Sequence, residues 1–205
     1  MKLHFSPFSS NSQRVLAVAH ELGISLELCD VDLATGAHKS PEFLALNPNG
    51  RVPVLEDGDF VLFESTAIIN YLADQVDGHP LRPSSARARA EILQWQSWTL
   101  HHFVRASDVL LFEHVIKGFF NLGAPDGAAI ERANDALCPL LEVLEARLSR
   151  GDFLVGTGCT LADHHLYAIF NIRDAIQLPS LTPYPAIARW VTRMSSLPGW
   201  KHLQP

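Results

Sequence analysis

The sequence has 205 residues, of which 47% are hydrophobic and 19% are charged, the composition of an ordinary soluble globular protein. A chain of this length can bury a core in one large domain or in two small ones. The formal net charge of -6, with no basic run along the chain, argues against a nucleic-acid-binding surface.

The first predicted unit is a strand, a helix and a second strand. Leu3 and Phe5 alternate with polar residues, as in a half-buried strand. Leu26 and Leu28 alternate again in the second strand, and Gly23 ends the helix between them. The apolar residues that recur at helical spacing in this helix are Val15, Leu16, Ala19 and Leu22. A β-α-β unit of this kind has parallel strands and a right-handed crossover.

The next predicted elements are a short helix, a hairpin and another helix. Pro41–Leu46 is the short helix, and it follows a polar loop. Two apolar runs, Val52–Glu56 and Phe60–Phe63, are separated by an Asp-Gly pair, a strong hairpin signal. A helix follows to Asp74, with Ser65 as its predicted N-cap. The resulting order, β-α-β-α-β-β-α, is that of a thioredoxin-like domain.

The composition changes after residue 76. Residues 77–85 contain Gly78 and Pro80 and are the predicted linker between a domain of residues 1–76 and one of residues 86–205. The second domain is predicted to be all-helical, with helices at about residues 86–118, 126–150, 160–176 and 185–195. The third of these helices begins with Thr160 and Asp163, which have the spacing of a capping box.

Pro53 and the pair Glu64-Ser65 point to a peptide-binding site. Proline cannot donate to a sheet, so Pro53 marks a strand start, a sheet edge or a cis turn. A cis Val52–Pro53 bond would leave the N–H and C=O of Val52 free to pair with an extended peptide. Glu64 and Ser65 bring together a carboxylate, a hydroxyl and helix N–H groups, which suit the two charges of a free amino-acid end.

Three cysteines, Cys29, Cys138 and Cys159, are widely spaced and form no Cys-x-x-Cys pair. This spacing argues against a disulfide framework or a zinc ribbon and favours a reducing compartment. The sequence also has no apolar run typical of a secretory signal or of a membrane-spanning helix. We therefore predict a cytoplasmic protein that does not enter a membrane.

The Val-Pro hairpin, the Glu-Ser pair and the capping box, which follows Phe153–Gly156, resemble the cytosolic glutathione S-transferase family over nearly the whole chain. The resemblance is to serine-type members, theta- or phi-like, of bacterial or plant type, with some zeta-like character near the N-terminus. It implies an α/β thioredoxin-like N-terminal domain with a cis-proline and an all-α C-terminal domain that contributes the electrophile site. In this family the capping box is structural, so Asp163 is expected to be a folding residue.

The resemblance implies that Ser9 is the catalytic residue. Such a transferase activates the thiol of glutathione, its co-substrate, as a thiolate that attacks an electrophilic small molecule or a peroxide. A cysteinyl thiol has a pKa of about 8.5. A hydroxyl that donates to the sulfur, aided by a helix N-terminus, stabilises the thiolate and lowers this pKa. Ser10 and Ser12 are rivals for this role, since any of the three serines can instead cap the helix.

The family also implies a set of residues that hold glutathione. His38 and Lys39 are expected to bind its glycine carboxylate, and Arg51 stands where related proteins often have glutamine. Val52 is expected to pair with its backbone, while Glu64 and Ser65 hold the γ-glutamyl end. The expected glutathione-binding residues are thus His38, Lys39, Arg51, Val52, Pro53, Glu64 and Ser65.

One stripe of the long helix is implied to border the electrophile pocket. Its residues are Trp98, His102, Arg105 and Val109, although a helical stripe is also typical of a core or of a dimer contact. The adjacent pairs His101-His102 and His164-His165 have no metal-ligand spacing, because neighbours on a helix diverge. We expect no metal.

The predicted function is that of a glutathione transferase in detoxification, acting as a homodimer. Asn49 stands where many relatives have an aromatic residue that locks the dimer, so a comparatively polar interface is expected. A glutathione-dependent isomerase is one alternative, since residues 9–15 are similar to the signature of maleylacetoacetate isomerases, with Asn11 and Gln13 replacing its cysteine and tryptophan. A non-catalytic protein-interaction module is the other.

Overall fold

Four short strands form one mixed sheet, with the order β2-β1-β3-β4. The strands are β1 (Lys2–Phe5), β2 (Glu27–Asp30), β3 (Val54–Asp57) and β4 (Phe60–Phe63). β1 and β2 are parallel, as predicted for the β-α-β unit, and the other two pairs are antiparallel. Leu3 pairs with Leu28 on one side and with Leu55 on the other, so the fully buried Leu3 and Leu55 lie next to each other in the sheet.

The computed structural model describes residues 1–203 and divides the chain into two compact units. The first unit comprises Met1–Arg82 together with the segment that starts at Leu197, and the second comprises Pro83–Ser196. The sequence had placed every residue after 85 in the helical domain. The return of the final segment to the first unit is a feature that only the packing reveals.

Three main helices accompany the sheet in the first unit: α1 (Ser10–Glu21), α2 (Pro41–Leu46) and α3 (Ser65–Asp74). Gly23 follows α1 with a φ of 68°, a left-handed conformation that favours glycine, as predicted for its C-terminus. The α1 and α3 helices pack against each other, and the residues of these two helices with no exposed surface are Val15, Ala17, Val18, Ile68, Ile69 and Leu72. The Val52–Pro53 peptide bond is cis, and β3 begins only after it, two residues later than predicted.

The long helix predicted for residues 86–118 is a continuous helical segment that contains two π-helical turns. Its parts are α4 (Ala86–Trp98), a π-helical turn (Thr99–Phe103), α5 (Val104–Leu111), a second π-helical turn (Phe112–Ile116) and α6 (Lys117–Phe119). π-helical turns are rare in proteins, and those that occur are often found at functional sites. The sequence carries no local signal for them, since proline and glycine are absent until Gly118.

The remaining helices are α7 (Gly127–Leu148), α8 (Leu161–Asn171), α9 (Pro185–Ser195) and α10 (Pro198–Lys201). Every residue of α8 from Leu161 to Phe170 is buried, so α8 is the central helix of the second unit. It ends at Asn171 rather than at the predicted Ile176. No helix within residues 1–203 is long and apolar enough to cross a membrane.

Asp163 connects several parts of this helical core. The side chain is fully buried and accepts hydrogen bonds from the backbone N–H of Leu154 at 2.9 Å, from Thr160 and from the Trp190 indole at 3.0 Å. Burial raises the pKa of Asp163, against the opposing effect of these hydrogen bonds. The capping box that the sequence predicted is present, and the same carboxylate also holds the preceding loop and α9.

Candidate active site

Ser9 is the N-cap of α1. Its Oγ accepts a hydrogen bond from the backbone N–H of Ser12 at 3.2 Å. Because the cap uses an oxygen lone pair, the hydroxyl proton of Ser9 is still available to a ligand. Ser12 is fully buried and its Oγ accepts the N–H of Ser6 at 3.3 Å, so this rival serine is an internal structural residue. Ser10 is half-buried at the first position of α1.

Glu64 is the N-cap of α3, so the prediction that Ser65 has this role is wrong. The backbone of Glu64 has φ 71° and ψ 110°, which is a strained conformation for a residue with a side chain. Strain of this kind persists where the surrounding structure enforces it, and it is common at ligand-binding sites. The side chain of Glu64 is exposed, while Ser65 is the first helical residue and is buried.

A buried arginine, Arg14, forms hydrogen bonds with side chains at the N-termini of both α1 and α3. Arg14 is 2% exposed, and its Nη1 donates to the Oγ of Ser65 at 2.6 Å and to the Oδ1 of Asn11 at 2.9 Å. The Ser65 hydroxyl in turn donates to the same Asn11 oxygen at 3.2 Å. Arg14 was not among the predicted site residues, although a charged residue next to the apolar residues of α1 is visible in the sequence.

His38 and Lys39 lie in a 3₁₀ turn, Ala37–Lys39, that packs against the loop before β3. The Nζ of Lys39 donates to the carbonyl oxygens of Asn49 at 3.3 Å and of Gly50 at 3.2 Å. Gly50 has a φ of 57°, and a Cβ added to it would lie 2.7 Å from this Nζ and 2.8 Å from the carbonyl oxygen of His38. Only glycine permits this close approach, so the structure brings the two predicted segments into contact.

His38 has an unusual environment. Its Nδ1 is buried and has no hydrogen-bond partner among residues 1–203. Burial lowers the pKa of His38, and the neighbouring positive charge of Lys39 lowers it further. The imidazole is therefore neutral at pH 7 and can form one more hydrogen bond.

Asn47 organises the loop that leads to the cis-proline. Its Nδ2 donates to the carbonyl oxygen of Arg51 at 2.7 Å, and its Oδ1 accepts from the backbone N–H of Asn49 at 3.0 Å. Asn47 is buried, whereas the side chain of Arg51 is exposed. Val52 packs against a small core cluster of Val31, Phe43 and Val54. Asn47 was not among the predicted site residues.

Three of the four residues of the predicted electrophile stripe line a groove in the second unit. His102, Arg105 and Val109 form one wall, and α7 forms the other with Arg132 among its residues; the volume is about 430 Å³. Trp98 is not among the lining residues and instead lies against Phe103, with ring centroids 5.9 Å apart. Among the described residues, Arg105 and Arg132 form no ion pair within 4.0 Å, although the charge of Arg132 contributes to lowering the pKa of Asp126.

Of the two histidine pairs, His101 and His102 line this groove, whereas His164 and His165 do not. His101 points its Nδ1 at the carbonyl oxygen of Ser97, 2.9 Å away, and His164 and His165 are buried in α8. Within residues 1–203, no three His, Cys, Asp or Glu side chains are grouped so that they could hold a metal ion.

Comparison with known proteins identifies two matching family domains. Residues 1–74 match "Glutathione S-transferase, N-terminal domain" and residues 108–198 match "Glutathione S-transferase, C-terminal domain". Among curated proteins, glutathione S-transferase 3 of Zea mays is 44% identical over 205 residues, which cover 98% of this chain and 91% of that protein.

Two solved structures have nearly the same fold. Glutathione transferase F7 of Populus trichocarpa superposes with a TM-score of 0.91 at 31% identity, over 98% of this chain and 96% of that one. A glutathione S-transferase-I structure bound with lactoylglutathione has a TM-score of 0.88, also at 31% identity, over 98% of this chain and 97% of that one.

Proposed function

Because the chain belongs to the glutathione S-transferase family, we propose that Ser9 activates the thiol of glutathione for attack on a second substrate. The protein is a glutathione transferase, and glutathione is its co-substrate. The isomerase and interaction-module alternatives are not favoured, since the curated relatives are named glutathione S-transferases.

The observation that carries the role of Ser9 is the direction of its cap hydrogen bond. Its oxygen receives the N–H of Ser12, and its proton can be donated to a sulfur at the N-terminus of α1. The thiol loses its proton to solvent, and the thiolate uses its electron pair to form a C–S bond while the leaving group departs with its own pair. With a peroxide, the sulfur instead attacks one oxygen, an S–O bond forms as the O–O bond breaks, and the other oxygen leaves with that electron pair and takes a proton from water.

The stabilisation of the thiolate that this role requires is within the range that one hydrogen bond and a helix N-terminus can supply. Lowering the thiol pKa by about two units requires about 2.7 kcal/mol of preferential thiolate stabilisation. A hydrogen bond to a charged group contributes about 1.5–3 kcal/mol, and a helix N-terminus contributes about 0.3–1 kcal/mol. Together these two effects are sufficient.

The rest of glutathione is held along the first unit. The γ-glutamyl ammonium pairs with the exposed Glu64, and its carboxylate binds the N–H groups at the start of α3. The backbone of Val52 pairs with the cysteinyl residue. His38 supplies the remaining hydrogen bond of its ring to the glycine carboxylate, and Lys39 adds a positive charge while it fixes the loop.

The second substrate binds the groove between α5 and α7. Val109 and α7 alanines provide an apolar wall, and Arg105 and Arg132 are cations without an ion-pair partner among residues 1–203. Charge complementarity therefore favours an electrophile with an apolar body and an anionic group.

The protein functions as a two-fold symmetric homodimer in the cytoplasm. Membership of the glutathione S-transferase family supports the homodimer, and the polar Asn49 predicts an interface with few apolar contacts. The three free cysteines support a reducing compartment. Light scattering at micromolar concentration should give the mass of two chains.

Ultraviolet titration of bound glutathione tests the role of Ser9. Wild-type protein with glutathione near pH 7 should show thiolate absorbance. Ser9→Ala should raise the pKa of the bound thiol by about one unit or more and lower kcat/KM about ten- to a thousand-fold, with little loss of binding. Ser10→Ala is the matched control and should leave the band unchanged. Loss of the thiolate absorbance in Ser10→Ala alone would assign thiol activation to Ser10. Absence of thiolate absorbance from wild-type protein with bound glutathione would overturn thiol activation.

A further inference from the structure

Ser9 ends a tight turn that burial does little to hold in place. The turn begins at Ser6, and the backbone N–H of Ser9 donates to the carbonyl oxygen of Ser6 at 3.1 Å. The two central residues are Pro7, which is exposed, and Phe8, which is 80% exposed. Because neither of them is buried, the conformation of the turn depends on its hydrogen bonds, apart from the φ angle that the proline ring fixes.

Gln13, in α1, holds two carbonyl groups of this segment at once. Its side-chain Nε2 donates to the carbonyl oxygen of Pro7 at 2.9 Å, and its backbone N–H donates to the carbonyl oxygen of Ser9 at 2.9 Å. These carbonyl groups belong to the peptide unit before Phe8 and to the peptide unit after Ser9. The peptide unit between Phe8 and Ser9 is held by the hydrogen bond of the turn itself. Three consecutive peptide units around Ser9 are therefore hydrogen-bonded, two of them by Gln13.

These hydrogen bonds determine the direction of the Ser9 hydroxyl. Because peptide units are planar, the soft backbone angles of Ser9 are its φ of -92° and its ψ of 115°. The peptide units on both sides are held, so neither angle can change freely. The side chain is held as well, since its Oγ accepts the N–H of Ser12. A hydrogen bond weakens steeply as its angle departs from linearity, so a small rotation of the turn would weaken a bond from this hydroxyl to a sulfur.

We propose that Gln13 is a positioning residue for thiol activation: by holding the carbonyl group of Pro7, it keeps the Ser9 hydroxyl aimed at the sulfur of glutathione. This inference rests on the role of Ser9 in the function proposed above. Gln13 acts through Ser9 and not on the sulfur. In the sequence, Gln13 stood out only as the replacement of a tryptophan in the isomerase signature.

Gln13→Met tests the proposal, because methionine is unbranched and uncharged and has a similar helix propensity, but its side chain cannot donate a hydrogen bond. Ultraviolet titration should show the pKa of bound glutathione raised by about half a unit, and kcat/KM at pH 7 should fall about three- to tenfold. Calorimetry should show S-methylglutathione bound as tightly as by wild-type protein. Gln75→Met is the matched control. The Nε2 of Gln75 also makes an exposed hydrogen bond in the first unit, to the carbonyl oxygen of Tyr71 at 3.4 Å, and its loss should change none of these quantities.

A double-mutant cycle separates positioning from a merely structural role. In Ser9→Ala, the further change Gln13→Met should not raise the thiol pKa again, because no hydroxyl is left to position. An equal rise with and without the Ser9 hydroxyl would overturn the positioning role. An unchanged thiol pKa in Gln13→Met, with only the melting temperature lowered, would overturn it too. The role of Ser9 would survive either result if Ser9→Ala still removed the thiolate absorbance, whereas a wild-type protein without thiolate absorbance would overturn the proposed thiol activation itself.

Discussion

Gly199 lies directly against Ala17, so that a Cβ added to Gly199 would overlap the carbonyl oxygen of Ala17. The backbone N–H of Gly199 also donates to the Oε1 of Glu21 at 2.7 Å, across 178 residues of sequence. A carboxylate at the N-terminus of α10 stabilises it in the same way as an N-cap. The close backbone contact and this hydrogen bond attach the final segment to α1.

Gly199→Ala should therefore weaken the first unit. Because the obstacle is backbone and not a flexible side chain, α10 must move, at a cost of about 1–3 kcal/mol in the free energy of unfolding. Urea unfolding measures the loss, and hydrogen exchange should show faster exchange in α10. Gly118→Ala, in a helix with open space around it, is the control and should be neutral or stabilising by up to about 1 kcal/mol. Equal stability in the two variants would contradict the close contact.

Glu64→Gln should weaken glutathione binding about tenfold, because the amide keeps the shape of the side chain but loses its charge toward the γ-glutamyl ammonium. Calorimetry with glutathione and with an analogue that lacks the α-amino group measures this charge interaction. The variant should bind the analogue as well as wild-type protein does. If glutathione itself binds with unchanged affinity, its amino group lies elsewhere.

His38 should make glutathione binding dependent on pH. Burial, and then Lys39, keep the pKa of His38 below 6.5 in the free protein, and a bound carboxylate favours the charged imidazolium and raises this pKa. Affinity should thus be constant at neutral pH, increase as the pH falls through the pKa of the complex and level off below that of the free protein. Calorimetry with S-methylglutathione from about pH 5 to about pH 8 measures this.

His38→Asn should abolish the increase, whereas replacing the exposed His20 by asparagine should preserve it. A fall in affinity on acidification would mean that His38 does not face the carboxylate.

Asp163→Ala should strongly destabilise the helical unit. The change leaves the buried Trp190 indole and the backbone N–H of Leu154 without an acceptor, which should cost about 3–5 kcal/mol in the free energy of unfolding. Denaturant unfolding followed by tryptophan fluorescence measures the loss. Asp174→Ala is the control, since that side chain is 90% exposed and should matter by less than about 0.5 kcal/mol. A similar small loss in Asp163→Ala would contradict the structural role of this residue.

Arg105→Gln and Arg132→Gln should raise the KM for electrophiles that carry a carboxylate or sulfonate about five- to tenfold each. The KM for a neutral aryl halide should change little, because the apolar wall of the groove is intact. Steady-state kinetics with a matched pair of charged and neutral substrates makes the comparison. Arg189→Gln, an exposed arginine elsewhere in this unit, controls for net charge. Equal effects on both substrates would exclude the groove as the anion-selective site.

Short-range patterns in the sequence predicted most of the elements. The hairpin, the end of α1 at Gly23 and the capping box of α8 each depend on residues within a few positions of one another, so their signals are visible without a structure. The bounds of α2, β4 and α9 agree with the predictions. The family resemblance is also a property of the sequence, because it rests on the order of such motifs along the chain.

Contacts between distant residues could be decided only by the tertiary structure. Arg14 forms a hydrogen bond with Ser65, 51 residues away in the sequence, and Gly199 forms one with Glu21, 178 residues away. Neither pair has a local spacing from which the contact could be predicted. The sequence determined that Arg14 is charged and that Gly199 is small. Whether the Arg14 charge is buried, and whether position 199 requires a residue without a side chain, depends on which surfaces pack together. Burial and close approach are properties of packing and not of local sequence.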